Sequence, residues 1–476
     1  MQINVEKIIR SGVTTAIQAV ADVNRYLMKD GAENPYLVQL HEPMRDELTL
    51  AELQVTGDIP TELDGRYLRN GPNPASPPKA AAYHWFLGDA MLHGVRLRAG
   101  KAEWYRNRWI RGRDVSRALG ERSAPGPRHE FDVVNTNVVA HAGKTWALVE
   151  AGAYPVRIGP QLETIAHDPF GGTLRSGFSA HPHLDPDTGE MHAIAYQGTK
   201  PDVLRHVVVG KDGDVRREEP IGVKGGPMVH DCMITRSYVV IFDLPVTFSL
   251  KRLIAGYRFP YAWNAKHEAR VGLMPREGKA ADIIWCRVDP CYVFHICNGF
   301  ETRDGQVIVD VCAHDKMFAE STQGPDSARV PLERWTIDPA RRAVTREVLD
   351  AAPQEFPRPN ETLLGKPYRY AYTMALAPRR AFIEAAPHLY KHDLETRTRQ
   401  VHDFGAHKVP GEFVFVPRPY ARAEDDGWLM GFVVDSARGK TDLEILDAAR
   451  FESAPQATIS IPHRIPAGFH GNWIPA

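Results

Sequence analysis

The chain has 476 residues, 43% of them hydrophobic and 25% charged, with a formal net charge of −1. These values are ordinary for a globular protein, and with no basic stripe nothing favours a nucleic-acid partner. Its five cysteines, Cys232, Cys286, Cys291, Cys297 and Cys312, are odd in number and lack CxxC spacing, so a reduced cytosolic protein without disulfides is expected.

In chain order, residues 4–28 read as an amphipathic helix. Val5, Ile8, Ile9, Val13, Ile17, Val20 and Leu27 recur at steps of three and four. Such a helix either packs on the main body or lies at a lipid interface, which would make the protein cytoplasmic with peripheral membrane contact. No opening signal segment and no apolar run long enough to span a bilayer stand out. Residues 1–45 are therefore set apart as a helical extension, and 46–476 as one catalytic domain.

From about residue 50 the pattern changes to short runs rich in Val, Ile, Tyr and Phe, such as TWALVEAG (145–152), YVVIFDL (238–244) and WLMGFVVD (428–435). Turn signals such as DPDTGE (185–190) and KDGD (211–214) separate them. A long series of short strands predicts an all-β fold of repeated antiparallel sheets, and a propeller closes such a series with few free edges. No fixed repeat period is visible, so the number of blades is not derivable from the residues. Residues 249–264, SLKRLIAGYRFPYAWN, mix apolar and basic side chains. They read as an insertion, either a buried cap over the sheets or a surface that dips into lipid.

Among the 20 histidines, a single one means little. Four stand at the edges of strand-like runs beside Pro, Gly or Asp: His181 in FSAHPHLDP, His230 in MVHDCMIT, His295 in YVFHICNGFE and His470 in FHGNWIP. They lie far apart in the chain, which suits a central site built from several segments better than a zinc finger. Imidazole alone does not choose between Zn, Cu, Fe and Ni.

At these residues the chain resembles the carotenoid cleavage oxygenase family. The resemblance runs from about residue 50 to the C-terminus. It rests on RYLRNGPNP (66–74), HWFLGDAMLHGV (84–95), NTNVV (135–139), LVEAG (148–152), SAHPHLDPDTGE (179–190), VHDCMIT (229–235), FHICNGFE (294–301), EFPR (355–358), GEFVFVPR (411–418) and HGNW (470–473). It implies a seven-bladed β-propeller with a dome of helices and loops over one face. It also implies Fe(2+) held on the axis by His181, His230, His295 and His470. His183, where relatives often carry Lys, is left out of the ligand set. Glu150, Glu355 and Glu412 are implied as carboxylates that hydrogen-bond the free ring nitrogens of three ligands, fixing tautomer and orientation and balancing the metal's charge. Thr136 matches a position that leans over a vacant metal site. The chain departs from the family pattern at Leu87, where relatives often show Asp.

The implied reaction uses O2 to split one C=C bond of an apolar polyene, a carotenoid or apocarotenoid, into two carbonyl products. No obligate protein partner is expected. Two alternatives share the same metal site: a stilbene- or phenylpropene-cleaving dioxygenase, and an O2-independent retinoid isomerohydrolase-like enzyme. Stilbene-cleaving relatives commonly place a Tyr, backed by a Lys, against the substrate phenol. An approximate alignment puts Trp109 at that position, with Tyr105 nearby, which favours the carotenoid branch.

Overall fold

A computed structural model of the chain describes residues 5–29, 33–129, 131–198, 200–379 and 382–476. Side chains are described in those ranges except at 5–15, 378, 379, 382 and 383. The described residues form an all-β, propeller-like arrangement with few helices. Antiparallel meanders follow one another along the chain. Four-stranded sheets span Asn137–His141 to Thr164–His167, His183–Leu184 to Val215–Gly222, and Gln354–Arg358 to Thr398–Asp403. An eight-stranded sheet runs from Cys232–Ile234 to Tyr292–Glu301, and its two halves meet at one parallel pairing, Arg287 with Ala343.

The two chain ends close the series. Gln54–Gly57 pairs antiparallel with Ala457–Ile461 in the last sheet, and Gly471–Pro475 pairs with Gly65–Pro72 in the first. Each end thus occupies an edge that would otherwise present unpaired N–H and C=O groups. The inner and outer strands differ as their environments demand. Met191–Tyr196 is buried at every position, whereas Ala343–Asp350 is buried at none. Trp146, Trp335 and Trp428 are fully buried between sheets, where large rings remove the most apolar area from water. All five cysteines are buried and none forms a disulfide.

Helix α1 spans Val5–Leu27 and α2 Arg113–Leu119; the short α3, Leu250–Ile254, lies within the 249–264 insertion. The contact between α1 and α3 differs from the expected apolar stripe. Ala21 is buried, while Val20 and Leu27 are 48% and 65% exposed; the side chains of Val5, Ile8, Ile9 and Val13 lie outside the described residues. Polar contacts fix the helix instead: Asn24 Nδ2 donates to the Ile254 carbonyl at 2.7 Å and Arg25 Nε to the Gly256 carbonyl at 2.9 Å. Gly256 has φ +100°, and a Cβ there would stand 2.7 Å from the Arg25 nitrogen, so only glycine admits the helix this closely.

Residues 33–41, placed with the helical extension by the sequence reading, are joined to the body. Asn34 is buried and its Nδ2 donates to the carbonyls of Ala80 and Tyr83. Tyr36, also buried, stacks on Trp85 with ring centroids 5.2 Å apart.

Candidate metal centre

The chain's inner strands and the turns that enter them bring four imidazoles together. His230 precedes strand Cys232–Ile234, and His470 precedes Gly471–Pro475. His181 lies just before His183–Leu184. His295 sits within Tyr292–Glu301, where the register with the neighbouring strand breaks between Val293 and Ile296; such an irregularity re-aims a side chain. One ring nitrogen from each of His181, His230, His295 and His470 lies within 4.8 Å of those of the others, and all four residues are buried. Nε2 of His295 is 3.2 Å from Nε2 of both His230 and His470.

The opposite nitrogens of three rings are committed to carboxylates. His230 Nδ1 lies 3.0 Å from Glu150 Oε1, His295 Nδ1 2.6 Å from Glu355 Oε2, and His470 Nδ1 3.1 Å from Glu412 Oε1. A carboxylate accepts, so each Nδ1 carries the hydrogen and each Nε2 of a neutral ring presents a lone pair. Three lone pairs therefore converge, and Nε2 of His181 is buried with no hydrogen-bond partner. A cation bound at that point would satisfy all four nitrogens. An all-imidazole donor set suits iron, zinc, copper or nickel and not the oxygen-seeking calcium or magnesium.

Electrostatics follow the same geometry. Burial and the neighbouring imidazoles hold His181 well below the usual range. His470 falls to about 4, burial outweighing the Glu412 carboxylate. Burial works to lower His295 too, but Glu355 raises it on balance. Glu412 is depressed to about 2: burial opposes this, and Arg358 and His470 prevail. Neutral imidazoles backed by carboxylates are the state a transition metal requires of its ligands.

Thr136 is buried at the same end of the cavity, and its carbonyl accepts from the His470 N–H at 3.1 Å. His183 stands apart from the four: its Nε2 donates to Asp231 Oδ1 at 2.8 Å. Sequence reasoning missed His314. This buried residue donates from Nε2 to the free side of Glu355, Oε1, at 2.8 Å. Nothing local marks it, since it ends a strand, Val307–His314, that is buried at every position.

A cavity of about 1800 Å³ leads to the imidazoles, walled by aromatic side chains that include Trp85, Phe86, Phe259, Phe294, Phe356 and Phe469. Phe86 stands edge-on to Phe259, Phe294 and Phe469, with centroids 5.6, 5.9 and 5.5 Å apart. Leu87 also lines it, so the departure from Asp alters the wall and not the metal site. Leu253, Phe259 and Tyr261 place the inner side of the 249–264 insertion in the wall. Trp109 and Tyr105 are not part of the wall. Trp109 is buried with its Nε1 donating to the Asn73 carbonyl at 2.8 Å, and the Tyr105 hydroxyl meets His93 Nδ1 at 3.0 Å. Trp109 therefore does not face the cavity and favours neither substrate branch.

A family model described as retinal pigment epithelial membrane protein matches residues 41–475. A carotenoid cleavage oxygenase of Mycobacterium tuberculosis is 43% identical, over 93% of this chain and 98% of its own. A carotenoid 9,10(9',10')-cleavage dioxygenase of Crocus sativus is 30% identical, over 97% of this chain and 93% of its own. The crystal structure of Pseudomonas brassicacearum lignostilbene dioxygenase superposes with a TM-score of 0.84 at 26% identity, covering 94% of this chain and all of that one.

Proposed function

The chain belongs to the carotenoid cleavage oxygenase family and is a double-bond-cleaving dioxygenase, and from that premise we propose that it is a non-haem Fe(II) enzyme acting on a carotenoid or apocarotenoid. One C=C bond is split with O2 into two carbonyl products. The observation that carries this reading is the four-imidazole cluster, backed by three carboxylates, at the end of an aromatic-walled cavity.

Fe(II) held at the cluster would supply the redox chemistry toward O2. The protein's own residues do the rest. His181, His230, His295 and His470 hold the metal, and Glu150, Glu355 and Glu412 keep three of those rings in the tautomer that can bind it. The aromatic wall orients an apolar polyene by its faces and edges and excludes water from the reacting bond. Thr136, bonded through its backbone to His470, narrows the space beside the ligands.

Three finer readings belong with this one. The blade number is taken as seven, supported by the eight-stranded sheet dividing at the lone Arg287–Ala343 pairing into two meanders. Peripheral lipid contact is supported by an exposed apolar face. Val23, Tyr26 and Leu27 are exposed on α1, and Leu250 and Ile254 are exposed on α3, which packs against it. No described helix is long and apolar enough to cross a membrane. A hydroxystilbene is the alternative substrate, supported by likeness to the lignostilbene dioxygenase.

The test is to incubate iron-loaded protein with an apocarotenal, a full-length carotenoid and a hydroxystilbene, following O2 uptake and identifying products by mass. Two carbonyl fragments per O2 are expected, with the highest kcat/KM for a carotenoid or apocarotenoid. A clear preference for the stilbene would overturn the substrate class. Product formed without O2 uptake would instead favour the isomerohydrolase-like alternative.

A further inference from the structure

We propose that Asp231 is a positioning residue that locks three of the four ligand-bearing segments together, with His183 as its partner. The inference rests on the metal reading above but concerns how the protein holds the ligands and not which they are.

Asp231 immediately follows His230 and is 5% exposed. Its carboxylate accepts three hydrogen bonds, one from each of the segments that carry His181, His230 and His295. Oδ1 receives the Cys232 N–H at 2.7 Å, which pins the turn that carries His230. The same oxygen receives His183 Nε2 at 2.8 Å, two residues beyond His181. Oδ2 receives the Ile296 N–H at 3.0 Å, the residue directly after His295.

The topology shows why such a link matters. Strands Cys232–Ile234 and Tyr292–Glu301 are the two end strands of the eight-stranded sheet, so no backbone ladder joins them. His183–Leu184 belongs to a separate sheet. Hydrogen-bonded ladders therefore fix each ligand within its own meander but do not set the distance between meanders. The Asp231 carboxylate supplies direct bonds between them, a few ångströms from the imidazole cluster. The Ile296 N–H lies between two register shifts of its strand, and it donates to Asp231 Oδ2. A ligand set is only as tight as the groups that hold its geometry.

Asn at position 231 keeps the shape but turns one acceptor into an NH2 donor, which must then face another N–H. His183→Gln keeps a donor for Oδ1; His183→Ala removes it.

The experiment measures Fe(II) and Co(II) affinity of the full-length protein by chelator competition. It also records the Co(II) visible spectrum and far-ultraviolet circular dichroism. Asp231→Asn is expected to weaken both metals on the order of 10- to 100-fold, with an altered Co(II) spectrum and unchanged secondary structure. His183→Ala is expected to weaken binding severalfold at full stoichiometry, and His183→Gln to restore most of it. Wild-type affinity and spectrum in Asp231→Asn would overturn the proposal. If Asp231→Asn does not fold, the His183 pair decides, and equal affinities for Ala and Gln would overturn it. A wild-type protein that binds neither metal would overturn the metal reading itself.

Discussion

Glu355 lies 2.6 Å from His295 Nδ1, the shortest of the three carboxylate contacts behind the imidazole cluster. Its other oxygen accepts from His314 Nε2 at 2.8 Å, so the carboxylate is used on both sides. Its acidity reflects this: burial works to raise it, but the two imidazoles hold it well below the usual carboxylate range.

That double use sets Glu355 apart from Glu150. A Gln at 355 has one acceptor, and its NH2 must face an imidazole N–H. Glu150 meets a single imidazole, His230, and its Oε2 has no hydrogen-bond partner. Glu355→Gln is therefore expected to weaken metal binding more than Glu150→Gln, within the roughly 10- to 100-fold range of such changes. Chelator competition measures both, and the reverse order would refute the argument.

The C-terminus is expected to tolerate no trimming, although chain ends usually do. Deleting 470–476 removes His470 and strand Gly471–Pro475, which completes the first sheet. The truncated chain should bind no iron and melt well below wild type. Full-length His470→Ala, like Ala at 181, 230 or 295, should lose iron with a smaller fall in Tm. Iron retained by the truncated protein would show that the fourth ligand is misassigned.

Two N-terminal truncations should part company. Removing residues 1–28 takes away the exposed face of α1 and should abolish vesicle binding while leaving iron content unchanged. Removing 1–41 also takes Tyr36 from its stack on Trp85. Loss of that buried ring costs about 2–3 kcal/mol of apolar burial, with about 0.5–1.5 kcal/mol more for the aromatic pair. Urea unfolding of the two proteins compares them; equal stability would contradict the placement of residues 33–41.

Glu444 predicts a pH dependence remote from the metal. Burial raises it to about 7, helped by Asp442 and opposed by Lys408. Lys408 instead bonds Asp442 at 2.8 Å, leaving Glu444 at 3.8 Å. The folded state keeps a proton that the unfolded chain releases near 4.5, so this contribution is complete below that pH. It is lost as pH rises through about 7, by up to about 1.4 kcal/mol per unit. Unfolding free energies between pH 5 and 8 should fall in wild type and flatten in Glu444→Gln; equal slopes would rule this out.

Much of the site was legible from the residues. His181, His230, His295, His470 and the three glutamates were legible only through the motifs that carry the family resemblance, and the structure places each glutamate carboxylate against one of the clustered imidazoles. The all-β character was legible directly, because strands and turns are written in neighbouring residues. Trp109 was misjudged because strand side chains alternate between faces. Nearness in sequence to a cavity-forming segment does not say which face a residue takes, and Trp109 points toward Asn73.

Which side chains are able to bind a metal, and which runs form strands, follows from residue type and short-range spacing. The tertiary structure decided which of those groups meet. His183 joins Asp231 and His314 joins Glu355 only because separate sheets are packed side by side. Tyr36 becomes a wall of the cavity because Trp85 offers it a face. Hydrogen bonds and ring contacts act over a few ångströms, so partners dozens of residues apart leave no local mark until packing brings them together.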